Sequence, residues 1–305
     1  MKLNLTFLLA DSLLGLPLPL AGAFIAALGA IIGSFLNVVI HRVPREESIV
    51  FPNSHCPACA AAIHPLDNIP IISFLLLRGR CRHCGASISV RYPAVELLTA
   101  LLYTAVFLCH VYLRAQLSLL LAFDLIFVTA LIALVFIDAE HMLLPNVITY
   151  PGIIFAVLTR LVLPYVAGPQ AFDDLGALMN GLCAGWPLWA ASLASAGIGA
   201  LTGGGSLWLM GWLWERLRGV EAMGLGDVKM MFMVGAYLGW RLTIVTIFMA
   251  VLSGSIAGLL LMVKSRERNM QMLLPFGIFL GTGAIIALLV GTRIIEWYIH
   301  RFIPQ

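Results

Sequence analysis

Apolar stretches and short polar ones alternate along nearly all of the chain. Runs near 19–40, 94–113, 117–137, 147–166, 193–215, 228–240, 242–263 and 273–292 each approach the ~20 residues that a helix needs to cross a bilayer. The pattern predicts an all-α polytopic membrane protein of about eight transmembrane helices, with one small polar loop domain between the first two. The fifth and sixth runs are the least regular. The stretch 176–192 is apolar but broken by Asn180 and Pro187, and 228–240 is short enough to be a discontinuous helix.

Composition agrees. Of 305 residues 61% are hydrophobic and only 11% charged, against roughly 25% charged in soluble domains. That rules out a water-soluble globule, a disordered chain and a coiled coil, and a net charge of +3 gives no sign of a nucleic-acid binder. Of the eighteen Lys and Arg, six lie between Arg42 and Arg91, three between Arg216 and Lys229, and three between Lys264 and Arg268. Eight spans put all three clumps on one side, which the positive-inside rule makes cytoplasmic, with both termini opposite. Arg114, Arg241, Arg293 and Arg301 run against the bias but are scattered. Lys2 and Ala21-Gly22-Ala23 give a faint likeness to a cleaved secretory signal. Asp11 interrupts that run, however, and the apolar pattern continues to Ile40, so a retained first span is expected.

The organisation expected is therefore an N-terminal segment and first span over 1–41, a cytoplasmic cysteine-rich loop over 42–93, and a transmembrane body over 94–305. The loop holds Cys56-Pro57-Ala58-Cys59 and Cys81-Arg82-His83-Cys84, two C-x-x-C pairs twenty-one residues apart. This spacing is close to the four-thiolate zinc pattern, in which each pair forms a knuckle offering two sulfurs to one tetrahedral ion. Gly85 permits the sharp turn after the second pair. Disulfides or a redox pair are the competing readings; a reducing cytoplasm disfavours the first, and the second needs no duplicate motif. His55 and His83 are possible substitute ligands. The metal role expected is structural, supplying folding energy to a loop with little core. Cys109 and Cys183, in apolar stretches, read as small hydrophobes.

Ionisable groups in a span are functional candidates by default. Asp11, Asp173 and Asp174 fall in loops on the far side, and Glu46, Glu47, Glu215, Glu221 and Glu267 lie among basic residues. Asp124, Asp138, Glu140 and Asp227 remain. Asp138 closes the third span and Asp227 opens the sixth, both at the cytoplasmic edge. Two carboxylates at one depth can converge in a bundle, and close like charges do not both ionise easily. The charged one then takes a proton from water while the neutral one polarises a carbonyl, which is aspartic proteolysis. The bland alternative is that both acids snorkel at a membrane edge. Gly224 and Gly226 fit the first account, since glycine lets an extended substrate approach. Lys229 would tune the pair or hold it. Asp124 lies fourteen residues before Asp138, roughly 21 Å along a helix, so packing or a helix start is its expected role. Glu140, two positions from Asp138, faces elsewhere on a helix and stays a supporting candidate.

These residues together resemble the type IV prepilin leader peptidases, membrane aspartic proteases of the GxGD class. The resemblance is carried by Gly33-Ser34-Phe35-Leu36-Asn37 through Pro44, Asp67-Asn68-Ile69-Pro70, Arg78-Gly79-Arg80-Cys81 and Arg91-Tyr92-Pro93. It continues through Ile137-Asp138 with Leu144-Pro145-Asn146, Gly224-Leu225-Gly226-Asp227 with Lys229, and Pro275-Phe276-Gly277. It implies catalytic Asp138 and Asp227, zinc on Cys56, Cys59, Cys81 and Cys84, and a bacterial inner membrane location with the active site facing the cytoplasm. The implied substrates are type IV prepilins and type II secretion pseudopilins, cut after a glycine to leave a residue that is usually phenylalanine. Membrane lipid is the other expected partner, and no nucleic acid. Members with such a loop resemble bifunctional enzymes that also methylate the new amine with S-adenosylmethionine.

No G-x-G-x-x-G after a soluble strand is present to bind that cofactor. Gly197-Ile198-Gly199 and Gly203-Gly204-Gly205 lie in an apolar span. Ser195/Gly199/Gly203, Gly235/Gly239, Gly254/Gly258 and Gly277/Gly281 follow small-xxx-small spacing, so helix packing accounts for them. The cofactor is expected between the loop and the membrane edge, with no ligands assigned. Two other functions stay open: a peptidase whose loop is only a docking module, and a transport or assembly protein whose acids carry protons or cations.

Overall fold

The computed structural model describes residues 17–113, 119–168, 174–179, 181–220, 223–265 and 275–302. Lys2, Asp11, Arg114, Asp173, Asn180, Glu221, Arg266, Glu267 and Arg268, named above, lie outside the described residues. Among the described residues the chain is helical, without strands beyond two isolated bridges, His55 with Ala62 and Arg80 with Ser87. Six helices are long and apolar enough to cross a membrane: Leu18–Arg45, Arg91–Tyr112, Leu119–His141, Leu188–Arg218, Trp240–Val263 and Phe276–Phe302. Their outward faces carry large apolar side chains. Phe248, Leu259 and Leu260 are each more than 60% exposed, a surface suited to lipid rather than water. This is a membrane protein.

The helices fall in two compact units. In the first, α1 (Leu18–Arg42) packs against α3 (Arg91–Leu108). Small residues let the backbones approach: a Cβ on Gly33 would stand 2.7 Å from Glu96 Cα. Between them runs the polar loop, containing the short helix α2 (Ile72–Leu76). Side chains of the two long helices fasten it. Arg42 donates to the carbonyls of Ser48 (2.8 Å) and Pro52 (2.7 Å), and Glu96 Oε2 accepts from the amide of Ile71 at 2.7 Å. α3 ends in a π-helical turn, Cys109–Leu113, where His110 Nε2 meets Asp124 Oδ2 at 2.8 Å. Both side chains are almost fully buried, so Asp124 has the packing role expected of it.

The second unit contains most of α4 (Leu119–His141), then α5 (Asn146–Ala167), α6 (Leu175–Met179), α7 (Leu188–Ala200), α8 (Ser206–Arg218), α9 (Leu225–Leu238), α10 (Trp240–Ser265) and α11 (Phe276–Phe302). Over their described residues the eight expected apolar runs are helical, Gly239 and Pro275 excepted. Two of them, α5 and α9, are not among the six long apolar helices. α9 has 14 residues, about 21 Å against a ~30 Å hydrocarbon core. It stops at Gly239, whose φ of 81° breaks the helix one residue before α10.

Short as it is, α9 forms the centre of this unit. Its residues from Met230 to Leu238, Phe232 excepted, are buried, and α5, α7, α10 and α11 pack around it. Glycines set the closest crossing. A Cβ on Gly199 of α7 would overlap the carbonyl oxygen of Gly235, and one on Gly235 would lie 2.6 Å from Gly199 carbonyl carbon. Elsewhere Cys183 is buried with Leu120, Leu175, Leu178 and Ala191, as a small hydrophobe would be.

Asp174, expected in a loop, does lie in a turn before α6, yet it is fully buried and paired with Arg160 of α5, whose NH1 lies 3.0 Å from Asp174 Oδ1. Arg160 also donates to Ser195 Oγ (3.1 Å) and to the carbonyl of Tyr237 (3.1 Å), and the Ser195 hydroxyl donates to Asp174 Oδ2. The reason is energetic: an arginine inside an apolar bundle needs an anion and hydrogen-bond acceptors at the same depth. Removing the anion leaves a buried uncompensated charge. Asp174→Ala is therefore expected to destabilise the protein by about 3–5 kcal/mol, and the apolar pair Arg160→Met with Asp174→Leu to recover most of that loss. Reversible unfolding of the purified protein in mixed detergent measures both.

Candidate active site and metal centre

Three helix ends meet at the candidate active site. Asp138 is in the last turn of α4, Asp227 is the third residue of α9, and Gly277 is the second residue of α11. After α4 the chain reverses through Met142, in left-handed conformation at φ 50°, and Pro145 caps the start of α5. Asp138 thus lies at the carbonyl end of its own helix, an unfavourable place for an anion. The start of α11 compensates, because the Ile278 amide donates to Asp138 Oδ2 at 3.1 Å. Asp227 sits in the first turn of α9, at the positive end of that helix, and its amide donates to the Gly224 carbonyl at 3.2 Å.

Gly277 brings the two acids to one point. A Cβ built on it would be 2.7 Å from Asp138 Oδ2 and 3.3 Å from Asp227 Oδ1. Both carboxylates therefore face the small space that this glycine leaves clear. Sequence reasoning took Gly277 for a packing residue through its spacing from Gly281. Gly281 does pack, against Val135 and Met230, whereas Gly277 lies under the acids. The signal available was Pro275-Phe276-Gly277 itself.

The other expected residues divide. Around a Cβ placed on Gly224, which caps α9, the nearest side-chain atom among the described residues is Asp227 Oδ2 at 3.9 Å. Gly226 lies close to the α4–α5 turn: a Cβ on it would press on Leu144 Cβ at 3.0 Å, so its lack of a side chain allows the start of α9 to close there. Lys229 Nζ donates to Asn146 Oδ1 at 2.9 Å and lies 5.2 Å from the Tyr150 ring centre. It ties the start of α9 to the start of α5. Glu140 is exposed at the end of α4, with His141 Nε2 4.0 Å from its carboxylate.

The four loop cysteines form a separate centre. The Sγ atoms of Cys56, Cys59, Cys81 and Cys84 all lie within 4.8 Å of one another, and Cys56 and Cys84 are 3.9 Å apart. A tetrahedral zinc with 2.3 Å bonds needs sulfurs about 3.8 Å apart, so the donor set fits that ion. None of the four is in a disulfide.

The two knuckles repeat one another in detail. The amide of Cys56 donates to Ala61 and that of Cys81 to Ala86, while Ala60 and Gly85 return to the carbonyls of Cys56 and Cys81. The amides of Ala58 and Cys59 hold the Cys56 thiol down to about 7. At Cys84 the Ala86 amide acts the same way, but desolvation and the three neighbouring sulfurs outweigh it and push that thiol up to about 11. Four crowded sulfurs are all anionic only around a cation. Arg82 of the second knuckle reaches Asp67 with two hydrogen bonds, of 2.8 and 2.5 Å, and so holds that carboxyl below its usual range.

The repeat also exposes a mismatch. Gly85 has φ 70°, and its counterpart Ala60 takes φ 55°, a conformation that costs a non-glycine residue about 1 kcal/mol or more. Ala60→Gly is expected to slow zinc loss to a chelator several-fold, and Gly85→Ala to hasten it. Replacing Cys56 and Cys59 by serine should abolish stoichiometric zinc, as read by metal analysis of the purified protein.

Residues 27–110 match the model of the bacterial peptidase A24 N-terminal domain, and residues 125–259 that of the type IV leader peptidase family. The chain is 38% identical over 296 residues to a prepilin leader peptidase/N-methyltransferase of Aeromonas hydrophila, spanning 89% of this chain and 91% of that protein. It is 37% identical over 298 residues to the protein of the same description from Pseudomonas aeruginosa, with 90% and 91% covered. The corresponding values for Dichelobacter nodosus are 35% over 304 residues, with 90% and 94% covered. No solved structure matches the chain.

Proposed function

The chain belongs to the type IV leader peptidase family, and from that premise we propose that it cleaves the leader from type IV prepilins and N-methylates the new terminus. The observation that carries the peptidase half is the convergence of Asp138 and Asp227 on the space over Gly277. Type II secretion pseudopilins are substrates of the same kind, an apolar helix with a short basic head. The enzyme resides in the bacterial inner membrane among its lipids, with this site at the cytoplasmic face. There the leader stays in water while the helix remains in the bilayer.

The two acids act as one unit that holds a single proton. The ionised carboxylate takes a proton from a water molecule as that water's oxygen attacks the carbonyl carbon of the leader's last glycine. The protonated carboxylate gives its proton to the carbonyl oxygen. Collapse of the tetrahedral adduct breaks the C–N bond, and the departing amine is protonated from the pair. The Ile278 amide holds Asp138 in place, Lys229 and Asn146 keep the start of α9 in register, and Gly224 leaves room for an extended segment.

Zinc on Cys56, Cys59, Cys81 and Cys84 would complete a closed structural site, giving the loop the folding energy that its small core lacks. S-adenosylmethionine supplies, when bound, an electrophilic methyl group for the new amine.

Incubation of the purified enzyme with a prepilin peptide, followed by mass spectrometry, tests both halves. Asp138→Asn and Asp227→Asn are each expected to lower cleavage by about 10³-fold or more, with zinc content and unfolding unchanged; normal processing by either variant would overturn the pair. With S-adenosylmethionine present, the wild-type product should gain one methyl group, whereas an unmodified amine would favour a loop that only docks substrate. Gly277→Ala introduces a methyl group 2.7 Å from Asp138 Oδ2. It should lower kcat by about a hundredfold with little change in KM.

A further inference from the structure

The polar loop does not stand clear of the membrane helices. Glu96, whose Oε2 holds the Ile71 amide at 2.7 Å, is the sixth residue of α3 and lies against Gly33 of α1. Gly33 is nine residues before Arg42, roughly 14 Å along the helix. A cavity between α1 and the loop points the same way: Ile31 and Ser34 line it from α1, Asn68 and Pro70 from the loop. The segment that enters α2 (Ile72–Leu76) therefore folds back beside the apolar part of α1 instead of projecting beyond Arg42 into water.

The chemistry of that segment suits lipid. From Ile71 to Leu77 the single polar residue is Ser73. It is buried, and its hydroxyl accepts from the Ile69 amide (3.1 Å) and donates to the Leu66 carbonyl (2.8 Å). Ile72, Leu75 and Leu76 face away from the protein, the two leucines 68% and 77% exposed. Both ends of the short helix are closed from within. At its start the Ile71 amide has Glu96, and at its end the amides of Arg78, Gly79 and Arg80 return to the carbonyls of Leu75, Phe74 and Leu77. Water supplies such groups with partners unaided. Hydrocarbon does not, and a helix entering it must bring its own. Arg78 and Arg80 follow directly, both exposed and without an ion pair among the described residues.

We propose that α2 is a re-entrant element immersed in the cytoplasmic leaflet, with Ile72, Leu75 and Leu76 among acyl chains and Arg78 and Arg80 at the phosphates of anionic phospholipids. Long cationic side chains suit that depth, since their stems stay in the apolar region while the guanidinium groups reach the headgroups. A water-borne partner protein would call for an apolar patch at the outer end of the loop. This one lies level with a spanning helix, where lipid is already the solvent. Only the choice of leaflet rests on the topology proposed above; neither enzymatic activity enters. The loop is then anchored at α1, α3 and α2, with one cysteine knuckle before the immersed segment and one after it.

Photocrosslinking of the full-length protein in vesicles of phosphatidylethanolamine and phosphatidylglycerol tests this without relying on turnover. Benzoylphenylalanine in place of Leu76, or separately of Leu75, should give phospholipid adducts on irradiation, read by mass spectrometry. Arg78→Gln combined with Arg80→Gln should lower the phosphatidylglycerol share of those adducts several-fold. Zinc content and unfolding temperature equal to those of the wild type show that the loop is folded in each variant. Adducts confined to this chain or to an added prepilin peptide would put a polypeptide on this face and overturn the immersion, as would the lack of any lipid adduct. An unchanged share in the arginine variant would overturn the headgroup contact.

Discussion

Charge in an apolar bundle is tolerated only where something polar awaits it, and helix ends are the cheapest source of such groups. The two carboxylates exploit three ends. Asp138 occupies the wrong end of α4, so the Ile278 amide at the start of α11 is brought to it, and Asp227 lies in the first turn of α9, where the helix dipole favours an anion. This arrangement works only if the helix start facing both acids carries no side chain, which Gly277 provides. The remaining contacts of this unit hold those ends together.

Alignment comes from two kinds of contact. Burial from water does not favour one helix over lipid as a neighbour inside a bilayer, so close packing and polar links must hold α9. Its middle is gripped by the glycine crossing with α7, and Phe155 stacks between Phe123 and Tyr237 at centroid distances of 5.3 and 6.0 Å. Its far end is held through the Tyr237 carbonyl by Arg160, and its near end by Lys229 on Asn146. A 14-residue helix held at both ends and the middle has little freedom to slide, and sliding would separate the acids.

Much of this was legible in the chain. Continuous apolar runs marked the long membrane helices, six of which are long and apolar enough to cross, because a helix in lipid must be apolar over most of its surface. Cys56, Cys59, Cys81 and Cys84 were legible because thiolate spacing in a knuckle is local. Asp138 and Asp227 stood out as carboxylates at the edges of apolar runs. What escaped were pairings set by tertiary packing. The burial of Asp174 could not be read because its partner Arg160 lies fourteen positions back, a pairing that no periodicity encodes. His110 with Asp124 was hidden in the same way. The role of Gly277 was missed, since spacing identifies a glycine that something approaches without saying what approaches it.

The π-helical turn at Leu201–Gly205 has a separate consequence. One extra residue in a helical turn rotates everything after it by about 100° relative to an unbroken α-helix. The single long rod from Leu188 to Arg218 thus behaves as two independently phased halves. The first half turns Ser195 and Gly199 inward onto Arg160 and α9. The second is free to aim Trp208, Trp212 and Trp214 outward, each close to half exposed, with Arg216 over one indole and Arg218 over another. A bilayer-facing aromatic girdle and a glycine seam thereby coexist on one rod without competing for the same stripe.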